Sequence, residues 1–321
     1  MSCRYGFLEP QREEIELHTV EETIIIKKVN TSKKHGTFST ACFDYHNTKR
    51  LSIDYHGRGR NVKVLFWNLG KNDNRKTVCS LIKEHNVDIA IFAEYHKTDI
   101  DGVCQDLERQ YTVRDGFGGC EKIRMIARIP IVVSVSREDT RYILYTIGYA
   151  GNQMIIAGIH LPANPGADQE MRKNVIRQIV YDIHELERKE GCKNTIVIGD
   201  FNANPFDQEL IQKDCFNAVL FKEVIMRNET ITHMGTRYQR FYNPIISYIS
   251  EDPKSYGSFY HTGGSYPLYW YCLDQVIMRK SLIEAFVNME YIKNVSGKSL
   301  TTNAGIRRSI SDHLPLLAEF K

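Results

Sequence analysis

Apolar runs of β type in this chain repeatedly end on a polar residue able to do chemistry. That recurrence constrains the fold more than any other feature. The run 62–67 leads into Asn68, and the run 88–93 into Glu94. The run 153–159 leads into His160, and 195–198 into Gly199-Asp200-Phe201-Asn202. Ser311-Asp312-His313 introduces the closing run 314–320, and Asp274 stands inside Leu273-Asp274-Gln275-Val276. Polar groups at one edge of a packed sheet converge on a cleft, which is where α/β folds place their sites. Singly, each residue has an ordinary role as a turn cap, a solvated strand end or half of an ion pair. Jointly they are hard-oxygen or imidazole groups, all at strand ends.

Around these residues the pattern alternates strands with helices. Residues 74–85 read as a short helix. Residues 168–189 read as a long one, with Met171, Val175, Ile179, Ile183 and Leu186 three to four apart. Further strands are expected at 123–129 and 131–135 around Pro130, and at 270–278. Runs 142–148 and 153–159 should form a hairpin through 150–152. Hairpins mixed with crossover helices argue for mixed sheets covered by helices. The stretch 214–267 is rich in Tyr, Asn, Gly and Pro with little periodicity, as expected of a functional loop or of small elements. Residues 1–60 read as a β-rich extension separate from a larger domain at 61–321. Within it, Thr23–Val29 is a strand candidate. Phe43-Asp44-Tyr45-His46 and Ile53-Asp54-Tyr55-His56 suggest a second hairpin, followed by a basic linker at 57–60.

With 321 residues, a net charge of +3 and a pI near 8.3, the chain is only mildly basic. The balance is not that of a protein dominated by phosphate contacts. The first residues contain no apolar core of a signal segment, and no stretch approaches the ~18 apolar residues of a membrane span. The 8 cysteines form no C-x-x-C pair, which argues against zinc and disulfide scaffolds and for free thiols in a reducing compartment. A cytoplasmic location is therefore expected.

The residue types suit attack of water on phosphorus. Asp312 beside His313 pairs a hard metal ligand with an imidazole that can carry charge. Asp200 two residues before Asn202 puts a base and a neutral donor on one side of an extended segment. In order along the chain, Trp67-Asn68, Ala93-Glu94, His160-Leu161-Pro162, the GDFNANP run at 199–205, LDQV at 273–276 and SDHLP at 311–315 resemble the endonuclease/exonuclease/phosphatase family over 61–321. The resemblance implies a four-layer α/β sandwich, two mixed sheets face to face with helices outside. It also implies a divalent metal, Mg²⁺ or Mn²⁺, held or oriented by Asn68, Glu94 and Asp312. Asp200 would position or deprotonate the attacking water, with Asn202 supporting it or a phosphate oxygen. Asp274 would orient His313, and His313 with His160 would bind the scissile phosphate.

The leading expectation is a metal-dependent phosphodiesterase on nucleic acid, DNA favoured, as an endonuclease or exonuclease of low sequence specificity. The alternatives are hydrolysis of a small or lipid-linked phosphoester, or a non-catalytic binding module. Abasic-site enzymes of the family often have Tyr at the place of His160 and Asp at that of Gly70, so this chain leans toward the branches with His. Those branches include nucleases and phosphatases. Arg237, Arg240, Tyr269 and Trp270, in an aromatic-rich stretch, are candidates to stack on bases and grip phosphates. Arg172, near a helix start, is a candidate phosphate contact. Residues 1–60 are a candidate surface for self-association or a protein partner.

Overall fold

Two parallel strand pairs, each bridged by a helix, organise residues 61–321 of this chain. The computed structural model describes residues 12–18, 23–29, 61–149, 151–163, 168–251, 256–263 and 267–321. The chain divides into two units, residues 1–51 and 52–321. In the first, strands Arg12–His18 and Thr23–Val29 pair antiparallel, Arg12 opposite Val29. The expected strand at Thr23–Val29 is formed. The expected hairpin through His46 and His56 and the linker 57–60 lie outside the described residues.

In the second unit, parallel strands Val62–Asn68 and Ile89–Ala93 are joined by helix Arg75–His85. Parallel strands Asn152–His160 and Thr195–Asp200 are joined by helix Gln169–Glu190. Parallel neighbours require such crossovers, because a tight turn only reverses the chain. The first pair sits inside a six-stranded sheet ordered Phe286–Tyr291, Leu316–Phe320, Val62–Asn68, Ile89–Ala93, Ile123–Arg128, Tyr111–Val113. The second sits inside a seven-stranded sheet ordered Ala218–Val219, Phe241–Tyr242, Asp274–Met278, Thr195–Asp200, Asn152–His160, Tyr142–Tyr149, Val132–Asp139.

Side chains alternate between the faces of a strand, and this sets the layers. A Cβ on Gly158 would stand 3.2 Å from Ile123 Cγ2 and 3.3 Å from Ile91 Cγ2, so this face of the seven-stranded sheet meets the six-stranded one. Ile156, Ile196, Ile198, Val276 and Met278 share that face and one core with Phe66 and Ile91. The opposite face, through Ile155, Ala157, Ile159, Val197 and Ile277, packs on Ile176, Ile179 and Ile183 of the long helix. Helices Arg75–His85 and Lys97–Asp106 pack together on the other side, the latter against the strands at 111–113 and 123–128. The four-layer sandwich expected from the resemblance is the observed fold. Each fully buried Ile or Leu contributes about 1.5–3 kcal/mol by leaving water.

The long helix starts where Asp168 accepts from Met171 N at 2.6 Å and stops at Gly191, φ 62°. Two segments here differ from the sequence reading, and the expectation of small elements in 214–267 holds. The run 270–278 is two strands, Trp270–Tyr271 and Asp274–Met278, in different sheets. The break falls at Cys272-Leu273, where the Gln275 amide turns back to Cys272 O at 2.8 Å. Helix Lys97–Asp106 was not expected, because its apolar signal is confined to Ile100 and Val103. The stretch 214–267 holds small elements, among them helix Lys222–Arg227 and a hairpin of Thr230–His233 with Thr236–Gln239.

Candidate active site

The strand register places three candidate residues in one row. Asp200 is opposite His160 on one side and opposite Asp274 on the other. By alternation from Ile198 and Val276, all three belong to the face toward the other sheet. The Thr195–Asp200 strand extends two residues beyond the expected 195–198, which brings Asp200 into this row. Gly199 permits the close strand approach: a Cβ there would lie 2.1 Å from Ile159 O.

Across the gap, Asn68 ends its own strand. Its Oδ1 accepts from Gly70 N at 3.1 Å, and its Nδ2 donates to Asp200 Oδ2 at 3.0 Å. A backbone N–H can only donate, so Gly70 fixes which end of the amide faces Asp200. Gly70 has φ 55°, and its missing Cβ makes room for Asp312, whose Oδ1 would otherwise lie 3.3 Å away. The 311–313 loop is tied to the same strand end. Ser311 Oγ donates to Asn68 O at 2.6 Å, Trp67 Nε1 donates to His313 O at 3.0 Å, and His313 N donates to Ser311 Oγ at 3.0 Å.

His313 stands between two carboxylates, Nδ1 2.7 Å from Asp274 Oδ2 and Nε2 4.0 Å from Asp200 Oδ2. Burial opposes its charged form, but Asp274, Asp200 and Asp312 outweigh burial and push the imidazole up to about 10. It is a cation at neutral pH. His160 Nε2 lies 3.6 Å from both Glu94 Oε1 and Asp200 Oδ2. There burial wins over the Asp200 charge and holds the ring below the usual histidine range. The site thus pairs a neutral and a charged imidazole. Burial lifts the Asp200 carboxyl above its usual range, against the pull of His313, with Asp274 adding to the rise. Its Oδ1 accepts from Asn202 N at 2.9 Å, while Asn202 Nδ2 donates to Leu161 O at 2.8 Å.

Asn68, Glu94, His160, Asp200, Asn202, Asp312 and His313 line a cleft of about 410 Å³, with Gly70, Asn72, Ala163, Phe259, Leu273 and Arg308 completing the wall. The carboxylates of Glu94 and Asp312 accept no hydrogen bond from any described residue; Lys71 N donates to the Glu94 backbone oxygen instead, at 2.9 Å. Two carboxylates left unclaimed beside an amide oxygen fit a hard divalent cation, which takes one or two carboxylates and keeps its waters. Asp200, Asp274 and His313 also bring one potential ligand atom each within 4.8 Å of one another. Within this trio His313 and Asp274 are hydrogen-bonded at 2.7 Å, while Asp200 Oδ2 stands 4.0 Å from His313 Nε2.

The eight core candidates of the sequence are thus brought together. The five peripheral ones are not in the cleft wall. Arg172 is buried and paired with Glu209 at 2.6 Å, because it shares a helix face with Ile176, Ile179 and Ile183. Arg237 Nε donates to Thr230 Oγ1 at 3.1 Å across its hairpin, and Arg240 Nη1 to Asn228 O at 2.9 Å. Trp270 packs on Tyr260, ring centroids 5.0 Å apart, and Tyr269 on Tyr260 at 6.4 Å. The strand pair Phe259–Tyr260 and Trp270–Tyr271 instead sends Phe259 to the cleft, its ring 4.9 Å from that of His313. Phe259 and Arg308 were missed. Phe259 lay unmarked among many aromatics, and Arg308 stands only four residues before Asp312.

Fold and site define a phosphoester-hydrolase architecture. The chain belongs to the Endonuclease/Exonuclease/phosphatase family, whose sequence model matches residues 65–313. Members of this family are phosphoester hydrolases, most often nucleases, and are typically dependent on a divalent metal. No curated protein matches the sequence. Among solved structures, TDP2 of D. rerio complexed with a single-strand DNA product is 13% identical, with TM-score 0.53 over 82% of this chain and 100% of that one. An endonuclease/exonuclease/phosphatase family protein of Bacteroides thetaiotaomicron is 12% identical, with TM-score 0.55 over 82% and 98%. The endonuclease domain of TRAS1, a telomere-specific non-LTR retrotransposon, is 12% identical, with TM-score 0.50 over 82% and 99%. These likenesses are of fold. No described helix is long and apolar enough to cross a membrane.

Proposed function

We propose that this chain is a divalent-metal-dependent phosphodiesterase that hydrolyses nucleic acid, DNA foremost, with low sequence specificity. The observation that carries the reading is the placement of Asp200, held by Asn68 and Asn202 and flanked by one neutral and one charged imidazole. The D. rerio TDP2 complex with DNA and the TRAS1 endonuclease domain support the choice of substrate.

Mg²⁺ or Mn²⁺, held by Glu94 and Asp312 beside Asn68, would supply charge neutralisation at the phosphate. The protein's own residues do the rest. Asp200, with its raised carboxyl, takes the proton of the attacking water. His313, kept protonated by Asp274, offsets the charge that grows on the phosphate oxygens. His160 donates a hydrogen bond from neutral imidazole, and Asn202 borders the water.

The test is single-turnover cleavage of plasmid, single-stranded DNA, RNA and a phosphomonoester panel with Mg²⁺ or Mn²⁺ and an EDTA control. Asp200→Asn and His313→Ala should each slow cleavage at least ~10²-fold while leaving the circular dichroism spectrum intact. Turnover of small or lipid-linked phosphoesters alone would replace the nucleic-acid reading. Metal-independent binding without turnover would point to a binding module.

A further inference from the structure

The cleft carries three carboxylates, Glu94, Asp200 and Asp312, and its floor cation is the buried His313. Arg308 is the one lysine or arginine among the residues described in its wall. It is exposed at the rim, and its guanidinium makes no hydrogen bond or ion pair with any described residue, Asp312 included. Its neighbour Arg307 is spent differently, Nε donating to Ser299 O at 3.1 Å.

The backbone that carries Arg308 is anchored on several sides. Arg307 N donates to Leu300 O at 2.8 Å, and Ile310 N and Ser311 N both donate to Arg307 O, at 2.9 and 3.3 Å. The Asn74 amide holds Ile310 O. The preceding strands Thr301–Thr302 and Gly305–Ile306 lie on the aromatic strand pair, so closely that a Cβ on Gly305 would stand 2.0 Å from Tyr260 Cδ1. A fixed backbone thus presents a long, unengaged guanidinium to the cleft that holds His313 and the three carboxylates. Arginine's planar fork suits phosphate oxygens.

From this geometry we infer that Arg308 grips a phosphate next to the scissile one, and so distinguishes a polynucleotide from a single phosphoester. The inference rests on the nucleic-acid reading above. His313 at the cleft floor serves the reacting phosphate, and a substrate with one phosphate gives a rim cation nothing further to hold.

The experiment compares wild type, Arg308→Ala and Arg308→Lys on a labelled oligonucleotide and on bis(4-nitrophenyl) phosphate, a diester with a single phosphorus. For Arg308→Ala the oligonucleotide KM should rise about 10-fold with little change in kcat. The ratio of kcat/KM for oligonucleotide over small diester should fall by the same factor. The salt dependence of the oligonucleotide KM should lose about one unit of log–log slope. Arg308→Lys should recover part of the loss. Equal losses on both substrates would overturn the inference, placing Arg308 at the scissile phosphate or in loop support. Normal oligonucleotide cleavage by Arg308→Ala would overturn the inference alone. Wild type idle on oligonucleotide but active on the small diester would overturn the nucleic-acid reading and this inference with it.

Discussion

Asn68 Nδ2 donates to Asp200 Oδ2 at 3.0 Å across the space between the two sheets, joining residues 132 positions apart in sequence. This bond couples the packing of the sandwich to the placement of the proposed base. Any shift of one sheet against the other would move the Asp200 carboxylate away from its only amide donor on the opposite sheet among the described residues.

Asn68→Ala should therefore slow cleavage by at least ~10-fold, since a buried carboxylate that loses a donor keeps its desolvation cost. It should also lower thermal stability modestly. Single-turnover rates and melting temperature check both, and a variant normal in each would remove Asn68 from the site.

Chelation should abolish activity, and Glu94→Gln should raise the Mg²⁺ concentration needed for half-maximal rate. Zn²⁺ should replace Mg²⁺ poorly, because no thiolate stands in the described cleft wall. A metal titration of both proteins decides this. Full rate in excess EDTA would refute metal dependence.

His184 offers a test of stability against pH. Burial holds its imidazole below the usual 6.5, with Arg279 adding to the effect and Glu187 and Glu185 opposing it. The unfolded chain therefore binds a proton here before the folded chain does. Stability is full above pH ~6.5 and falls as pH drops below it, levelling off under the folded value. His184→Gln should lose less melting temperature than wild type between pH 7 and 5.5. An equal loss would mean that His184 does not contribute.

The cleft residues begin at Asn68, so residues 1–60 are proposed to be an appendage outside the catalytic machinery, used for self-association or a protein partner. Deleting residues 1–56 should leave cleavage measurable while altering oligomer size, solubility or substrate choice. Kinetics and size-exclusion chromatography of the truncated protein test this. A folded but inert product would show that the segment contributes to the site.

What the sequence determined by itself was the chemistry at strand ends. Asn68, Glu94, His160, Asp200 and His313 were legible because a strand's apolar run stops where its polar terminus begins, and that change is local. The Gly199-Asp200-Phe201-Asn202 and Ser311-Asp312-His313 runs carried the family for the same reason. The strand and helix segments were legible from apolar runs separated by helical periodicity, while the parallel pairing of those strands was not. Tertiary structure alone decided which groups touch. The row His160, Asp200, Asp274 depends on register between strands far apart in sequence, and the charge of His313 depends on three carboxylates gathered around it. It also decided against Arg172, whose helix face turns it to Glu209, and for Phe259 and Arg308, which reach the cleft through a strand pair and an anchored loop. Side-chain direction in such segments follows from packing across the fold, and no period in the sequence records it.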